Sequence, residues 1–434
     1  MTFKQVKHIS KENLLLLVIY CCVLMFCIFN DPIYSFDTYS YLRAMPYRQM
    51  GYVIFLKSFS YVFGSYFEEL VVIVHAIVSL FGVHYFYKQV SFIFNLNIIL
   101  KFILVGILLI PFFPPLLIAN NLCSEGLGYG LYLLFIASGL NILFKNKRKD
   151  IKFYVIVFLV LVSVRSQFLI STLIFAGVYF LMYRKSLFQS KHLLTLTIFC
   201  GLVLVASISE RSYHKLKDGF FKPTPLGFTS ASTAPIYISD TTDYLLIGKK
   251  DYREILKMSY NTLTNKDLLL KPNQTPEEDY LFFHKNLPKI CNQTVREEGV
   301  AYYFKQTVPK DWSENQANSY PFFEAEAACK VYTFTLIKAH FKEWVQLFYT
   351  NLTYGFYSPL LLFFVVIIFF FSLIKTTFYY QKKYAILFLL SSLILSNALF
   401  IAFASHSIQR YLFYNYALLF LLFISTLKLL KREQ

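Results

Sequence analysis

The chain has 434 residues, of which 56% are hydrophobic and 48 are Phe, and its formal net charge is +17. That much apolar residue in long runs excludes a soluble globular domain and indicates a polytopic membrane protein. The positive charge invites a nucleic-acid reading, which its placement excludes: the basic residues cluster in short stretches between apolar runs, as cytoplasmic loops do.

In chain order, apolar segments at 13–30, 69–86, 97–119, 126–144, 151–164, 168–183 and 193–208 precede a long polar region, and 354–374, 384–404 and 411–427 follow it. Most approach the roughly 20 residues that cross about 30 Å of hydrocarbon. The pair around Arg165 is short, and a hairpin that does not fully cross is an alternative there. Six basic groups mark one side if the spans alternate. They are Lys4, Lys7 and Lys11; Lys88 and Lys101; Lys145, Lys147, Arg148, Lys149 and Lys152; Arg184, Lys185 and Lys191; Lys375, Lys382 and Lys383; and Lys428, Lys431 and Arg432. That pattern places both termini in the cytoplasm. The first apolar run lacks a small-residue cleavage signal and reads as a retained span.

The expected fold is therefore all-α, with about ten transmembrane helices, juxtamembrane amphipathic helices and a large extracytoplasmic loop or cap. Its expected divisions are an N-terminal membrane module at 1–208, the cap at 209–350 and C-terminal membrane helices at 351–434. Amphipathic periodicity appears at 51–67 and again at 330–348, where Phe334, Ile337, Phe341, Val345 and Phe348 form one stripe. Such helices lie in the membrane surface. The 209–329 segment has no HExxH, GxSxG or P-loop pattern and reads as a cap over substrate or acceptor. Cys291 and Cys329 in it are either one disulfide or two thiols, and no His/Cys spacing suggests zinc. Two NQT sequons begin at Asn273 and Asn292 and matter only in a eukaryotic cell.

On the face opposite the basic clusters, unusual polar residues gather from separate turns. Asp37 lies in "SFDTYSYLRAMPYRQMGY", Glu125 follows "ANNLCS", Arg165 sits in "VRSQ", and His406 and Arg410 lie in "ASHSIQR". Each has an ordinary reading. Asp37 can be a loop acid, Glu125 a carboxylate favoured at a helix start, the arginines lipid-phosphate anchors, and His406 a surface histidine. Ionisable groups at membrane depth are costly, and one shared wet cavity would account for all five.

This layout resembles the GT-C class of integral-membrane glycosyltransferases, in particular the branch of protein O-mannosyltransferases and lipid A aminoarabinose transferases. "FDTYSYLRAMPYRQMGYVIFLKSF" is similar to that branch's first outer loop, with Asp37, Tyr41, Pro46 and Gly51-Tyr52 leading into an amphipathic helix. Ser124-Glu125 is similar to its second-loop pair, and Arg410-Tyr411 to the "RY" before its last spans. Departures are that Asp37 stands alone where many members have paired acids, and that the stretch reads Tyr-Arg-Gln-Met-Gly-Tyr without a Pro-Gly-Tyr-Pro. The resemblance does not extend to the large loop.

The resemblance implies transfer of a sugar from a polyprenyl phosphate or diphosphate to a lipid, glycan or protein acceptor at the outer face. The Phe- and Lys-rich composition suggests an AT-rich bacterial genome, and so an inner membrane with the large loop in the periplasm. Membrane lipids are then partners and nucleic acid is not. The resemblance implies Asp37 as general base and Glu125 as a catalytic partner orienting the acceptor. Arg165 and Arg410 would stabilise the departing phosphate. Tyr39, Tyr41 and His406 would line the substrate site. The resemblance fixes no cofactor, and the missing second acid leaves a divalent cation open. Two rivals remain at this level. An O-antigen ligase or polymerase would use Arg211, His214, His284 or His340 of the large loop. A lipid-linked glycan flippase would instead want charges in mid-span and internal repeats.

Overall fold

The computed structural model describes residues 11–433 apart from 146, 148 and 380, without the side chains of 293–295, 432 and 433. Lys4, Lys7 and Arg148 of the basic clusters lie outside the described residues, as does the side chain of Arg432. Among the described residues every named element is a helix or helical turn, and the one extended pairing is an isolated bridge between Ile33 and Asn121. Among the described residues eight helices are long and apolar enough to cross a membrane. The chain packs as two units, Met1–Arg43 with Gly51–Arg165, and Ala44–Met50 with Ser166–Gln434. The borders expected at 208 and 350 follow polarity, whereas these follow packing.

The first unit contains α1 (Lys11–Phe29), α2 (Phe36–Leu42), α3 (Met50–Phe63), α4 (Phe67–Ile93), α5 (Ile98–Leu109), α6 (Ser124–Lys145) and α7 (Asp150–Val164). Helix α6 is its axis, buried along nearly its whole length. Its opening, Ser-Glu-Gly-Leu-Gly-Tyr-Gly, supplies small residues that let α4 approach closely, as membrane helix pairs require in place of a hydrophobic drive. A Cβ on Gly82 of α4 would stand 2.5 Å from the Gly130 carbonyl oxygen, and one on Gly130 would overlap the backbone of Val78. Ser79 then donates to the Gly126 carbonyl at 2.7 Å. Gly130→Val is accordingly expected to lower stability by about 1–3 kcal/mol, the usual cost of overpacking, read as a lower melting temperature of the purified protein.

Contacts at the helix ends of this unit define two poles. At one, Glu12 bonds Lys101 at 3.0 Å and Tyr87 at 2.7 Å, Lys145 donates to Gln89, and Asn141 to Asp150. At the other, Asn120 donates to the carbonyls of Cys27 and Asn30, closing the end of α1. Helices α1, α4, α5, α6 and α7 thus alternate in direction between the poles, as the charge pattern of the sequence anticipates for this part of the chain.

Two expected spans differ in form. The segment expected to be helical over 97–119 is a helix of 12 residues, a short 3-10 turn to Phe112, and then turns. Its irregular half is supported from within: Asn121 donates to the Leu116 and Leu117 carbonyls, and Ile118 N to Pro111 O. Non-helical backbone at membrane depth is tolerated where protein satisfies it in this way. Helix α7 has 15 residues, about 22 Å at 1.5 Å per residue, shorter than the hydrocarbon core. The amphipathic segment expected at 51–67 is α3, separated from α4 by a 3-10 turn at Gly64, whose φ of +55° suits glycine.

The second unit begins with α8 (Ser171–Tyr183) and α9 (Ser190–Asp218) and ends with α17 (Pro359–Tyr379), α18 (Lys382–Ala404), α19 (Gln409–Leu412) and α20 (Tyr416–Glu433). Between them lies a helical insert: α10 (Gly227–Ala231), α11 (Thr233–Tyr237), α12 (Lys250–Asn265), α13 (Pro276–Ile290), α14 (Glu297–Phe304), α15 (Glu314–Ala339) and α16 (Phe341–Gly355). The insert has its own core, including Tyr237, Ile255, Leu263, Tyr280, Phe283, Tyr303 and Tyr332. The single amphipathic helix expected over 330–348 is broken at His340, which leaves helical geometry at φ −118° and ψ 47° and bonds Asp243 at 2.6 Å. Phe334, Phe341 and Val345 of its stripe remain exposed on the two pieces. Cys291 and Cys329 are buried free thiols, both pushed up by burial.

Candidate functional site

At the second pole of the first unit, the loop after α1 pairs with the loop before α6. Ile33 N donates to Asn120 O at 2.8 Å, and Leu122 N to Ile33 O at 3.0 Å. Ser35 opens α2, its N–H bonded to Thr38 Oγ1 and its hydroxyl 3.0 Å from Cys123 Sγ. This clamp fixes α2 against the start of α6. Asp37 lies in the first turn of α2 and is half-buried. Tyr41, one turn later and so on the same face, donates to Ser124 Oγ at 3.3 Å. Two loops that sequence order alone assigns to one face are therefore joined.

Ser124 and Glu125 begin α6, and Arg165 ends α7 in extended geometry that turns its side chain inward. The guanidinium Nη1 donates to Glu125 Oε1 at 2.9 Å and to Ser124 Oγ at 3.1 Å. Glu125 is 2% exposed and Arg165 8%. Burying an ion pair costs several kcal/mol per ion, so these residues are held here against the desolvation term. A third layer lies behind them. His75 of α4, wholly buried, places Nδ1 3.1 Å from the Ala119 carbonyl and Nε2 3.4 Å from the Tyr52 hydroxyl. The carbonyl can only accept, so Nδ1 carries the proton and Nε2 accepts from Tyr52. The Tyr52 ring meets Tyr41 edge-on at 4.7 Å between centroids. Gly126 is the only residue type that fits beside this histidine, because a Cβ there would overlap the imidazole.

Asp37, Tyr41, Glu125 and Arg165 thus share one pole of the first unit. Tyr39 does not face it: its ring is 52% exposed and packs on Tyr34. The chemistry available is a buried carboxylate, a guanidinium, two hydroxyls and a neighbouring half-buried acid, enough to hold an anion and move a proton. Sequence reasoning passed over His75 and left Tyr52 without a role. The signal was present, a histidine midway along an apolar run, where ionisable groups are rare.

His406 and Arg410 belong to the second unit. His406 packs on His284 with ring centroids 4.6 Å apart, and its Nδ1 donates to the His284 carbonyl at 3.1 Å. Asn351 holds the same loop, donating to Ala402 O and Ser405 O and accepting from Ser407 N. Arg410 lies over the Tyr411 ring at 5.8 Å. Burial, then the neighbouring His284, pull His406 from the usual 6.5 down to about 4. A depressed folded value favours the neutral ring, so the stability it lends is full above 6.5 and is lost as pH falls from 6.5 toward 4. Acidification from pH 7 to 5 is expected to cost about 1–2 kcal/mol through this residue, and His406→Gln is expected to flatten that part of the melting-temperature profile.

The loop residues a ligase or polymerase would use are taken up separately. His214 bonds Asp218 and Thr224, His340 bonds Asp243, His284 packs on His406, and Arg211 Nε donates to Ser207. Among the described residues no three His, Cys, Asp or Glu side chains converge as a metal site. Compared with family models, curated proteins and solved structures, the chain matches none.

Proposed function

We propose that this chain is an integral-membrane glycosyltransferase that moves a sugar from a polyprenyl-phosphate donor to an acceptor hydroxyl or amine. The observation that carries the reading is the buried Glu125–Arg165 pair with Ser124 and Tyr41, roofed by the short helix bearing Asp37. A buried ion pair adds little to stability compared with an apolar core, so its presence favours a chemical use. Ten spans, cytoplasmic termini and an extracytoplasmic insert belong to the same proposal, supported by the alternation of the first unit and its basic pole.

In this mechanism the acceptor oxygen or nitrogen attacks the anomeric carbon as its bond to the phosphate oxygen breaks. The bonding pair leaves with the phosphate, and Arg165 offsets the developing charge. Asp37 takes the acceptor proton as general base. Glu125 orients Arg165, and Ser124 and Tyr41 fix the guanidinium's angle. Tyr52 and His75 hold Tyr41 in place. The test is release of polyprenyl phosphate from a panel of polyprenyl-phosphate hexoses and pentoses in proteoliposomes. Turnover of at least one donor that stops in Glu125→Gln is expected, and no turnover of any donor would count against the reading.

A further inference from the structure

We propose that the insert carries a saccharide-binding platform where the end of α9 meets the first half of α15. Its rings are Phe220, Trp312 and Tyr320. Trp312 meets Phe220 and Tyr320 edge-on, with centroids 5.4 and 5.2 Å apart. Each of the three rings is half-buried. They rest on Phe323 and Tyr303, which are buried: Phe220 lies 5.4 Å from Phe323, and Tyr320 5.9 Å from Tyr303. The lower pair fills the core, and the upper three keep part of their surface in water.

Charges of both signs rim these rings. Lys222 bonds Glu324 at 3.0 Å, half-exposed, and lies 5.8 Å above the Phe220 ring. Asp251 accepts from Tyr303 at 2.8 Å and pairs with Lys249 at 3.0 Å. A pyranose presents just the complementary surface. Its C–H face carries slight positive charge and suits the negative face of an aromatic ring. Its hydroxyls both donate to carboxylates and accept from an ammonium. Each acid is paired with a lysine, Glu324 with Lys222 and Asp251 with Lys249, so the rim carries no net charge to draw a phosphate, and its charged groups are unsuited to acyl chains; a neutral saccharide is the ligand that fits.

The platform is also rigid. Gly219 turns the chain at φ +80°, where a Cβ would meet Gln316. Asp218 accepts from His214 at 2.6 Å, Lys217 at 2.9 Å and Ser319 at 2.8 Å, fastening α9 to α15. A surface fixed in this way loses little entropy on binding. That the bound saccharide is the acceptor glycan rests on the transferase reading; that a saccharide binds does not.

The chain has two tryptophans, Trp312 and Trp344, so Trp344→Phe leaves Trp312 as the sole indole reporter. The full chain in nanodiscs would be titrated with neutral tetrasaccharides of glucose, mannose, galactose and N-acetylglucosamine, following Trp312 emission. A saturable shift with at least one is expected, weakened about tenfold by Tyr320→Ala and also reduced by the rim change Lys222→Ala, with melting curves confirming that both variants fold. No saturable shift with any of the four, or a shift unchanged in both folded variants, overturns the platform. Glu125→Gln is expected to keep the shift while losing transfer. A shift without transfer in wild type would remove the transferase reading and leave the platform, and transfer without a shift would do the reverse.

Discussion

Arg165→Met is expected to destabilise the protein by about 3–5 kcal/mol, because it leaves the Glu125 carboxylate buried opposite an apolar side chain. The reciprocal Glu125→Leu strands the guanidinium at similar cost. The double variant Glu125→Leu/Arg165→Met removes both charges together, and replacing a buried pair by apolar groups of similar volume is often neutral or stabilising. Its melting temperature is therefore expected to return close to wild type. Transfer is expected to stay absent, since the Arg165 guanidinium no longer meets the leaving phosphate. Recovery of stability without recovery of activity separates the chemical use of the pair from its place in packing. Recovery of both would show that the pair is dispensable to the reaction.

Asp37→Asn acts differently. Asp37 is half-buried on the first turn of α2, and the clamp that holds this helix runs through Ser35, Thr38 and Tyr41. Melting is expected to change by less than about 1 kcal/mol, since Asn keeps the size and shape of the Asp side chain. The rate is expected to fall about 10²–10⁴-fold, the usual contribution of a positioned general base. Donor turnover in proteoliposomes, measured beside the melting curve, checks both parts. A rate within a few-fold of wild type would take Asp37 out of proton transfer.

The sequence made the poles of the first unit legible because charge and length carry that information. Basic clusters recur where alternate spans end, and Asp37 and Glu125 follow apolar runs directed to the other pole. What pairs with what was harder to read. Arg165 and Glu125 are 40 positions apart, and nothing local says that the end of α7 turns Arg165 back onto α6. The close α4–α6 approach depends on Gly82 meeting Gly130, two glycines whose helical neighbours conceal their purpose. The helix expected across 97–119 failed at its second half for a local reason: Pro111, Pro114 and Pro115 remove backbone donors and stop the helix, and the Asn121 side-chain amide supports the turns that follow. At 330–348 the periodicity persists through His340, and the bond to Asp243, 97 positions away, accompanies the break.

The most direct measurement compares glycolipid and glycoprotein mass profiles of native cells lacking this chain and supplied with either the wild type or Asp37→Asn at equal level. A discrete sugar mass present with wild type and missing with Asp37→Asn is the predicted result, and it would identify both sugar and acceptor. Identical profiles in the two strains would contradict glycosyl transfer centred on Asp37.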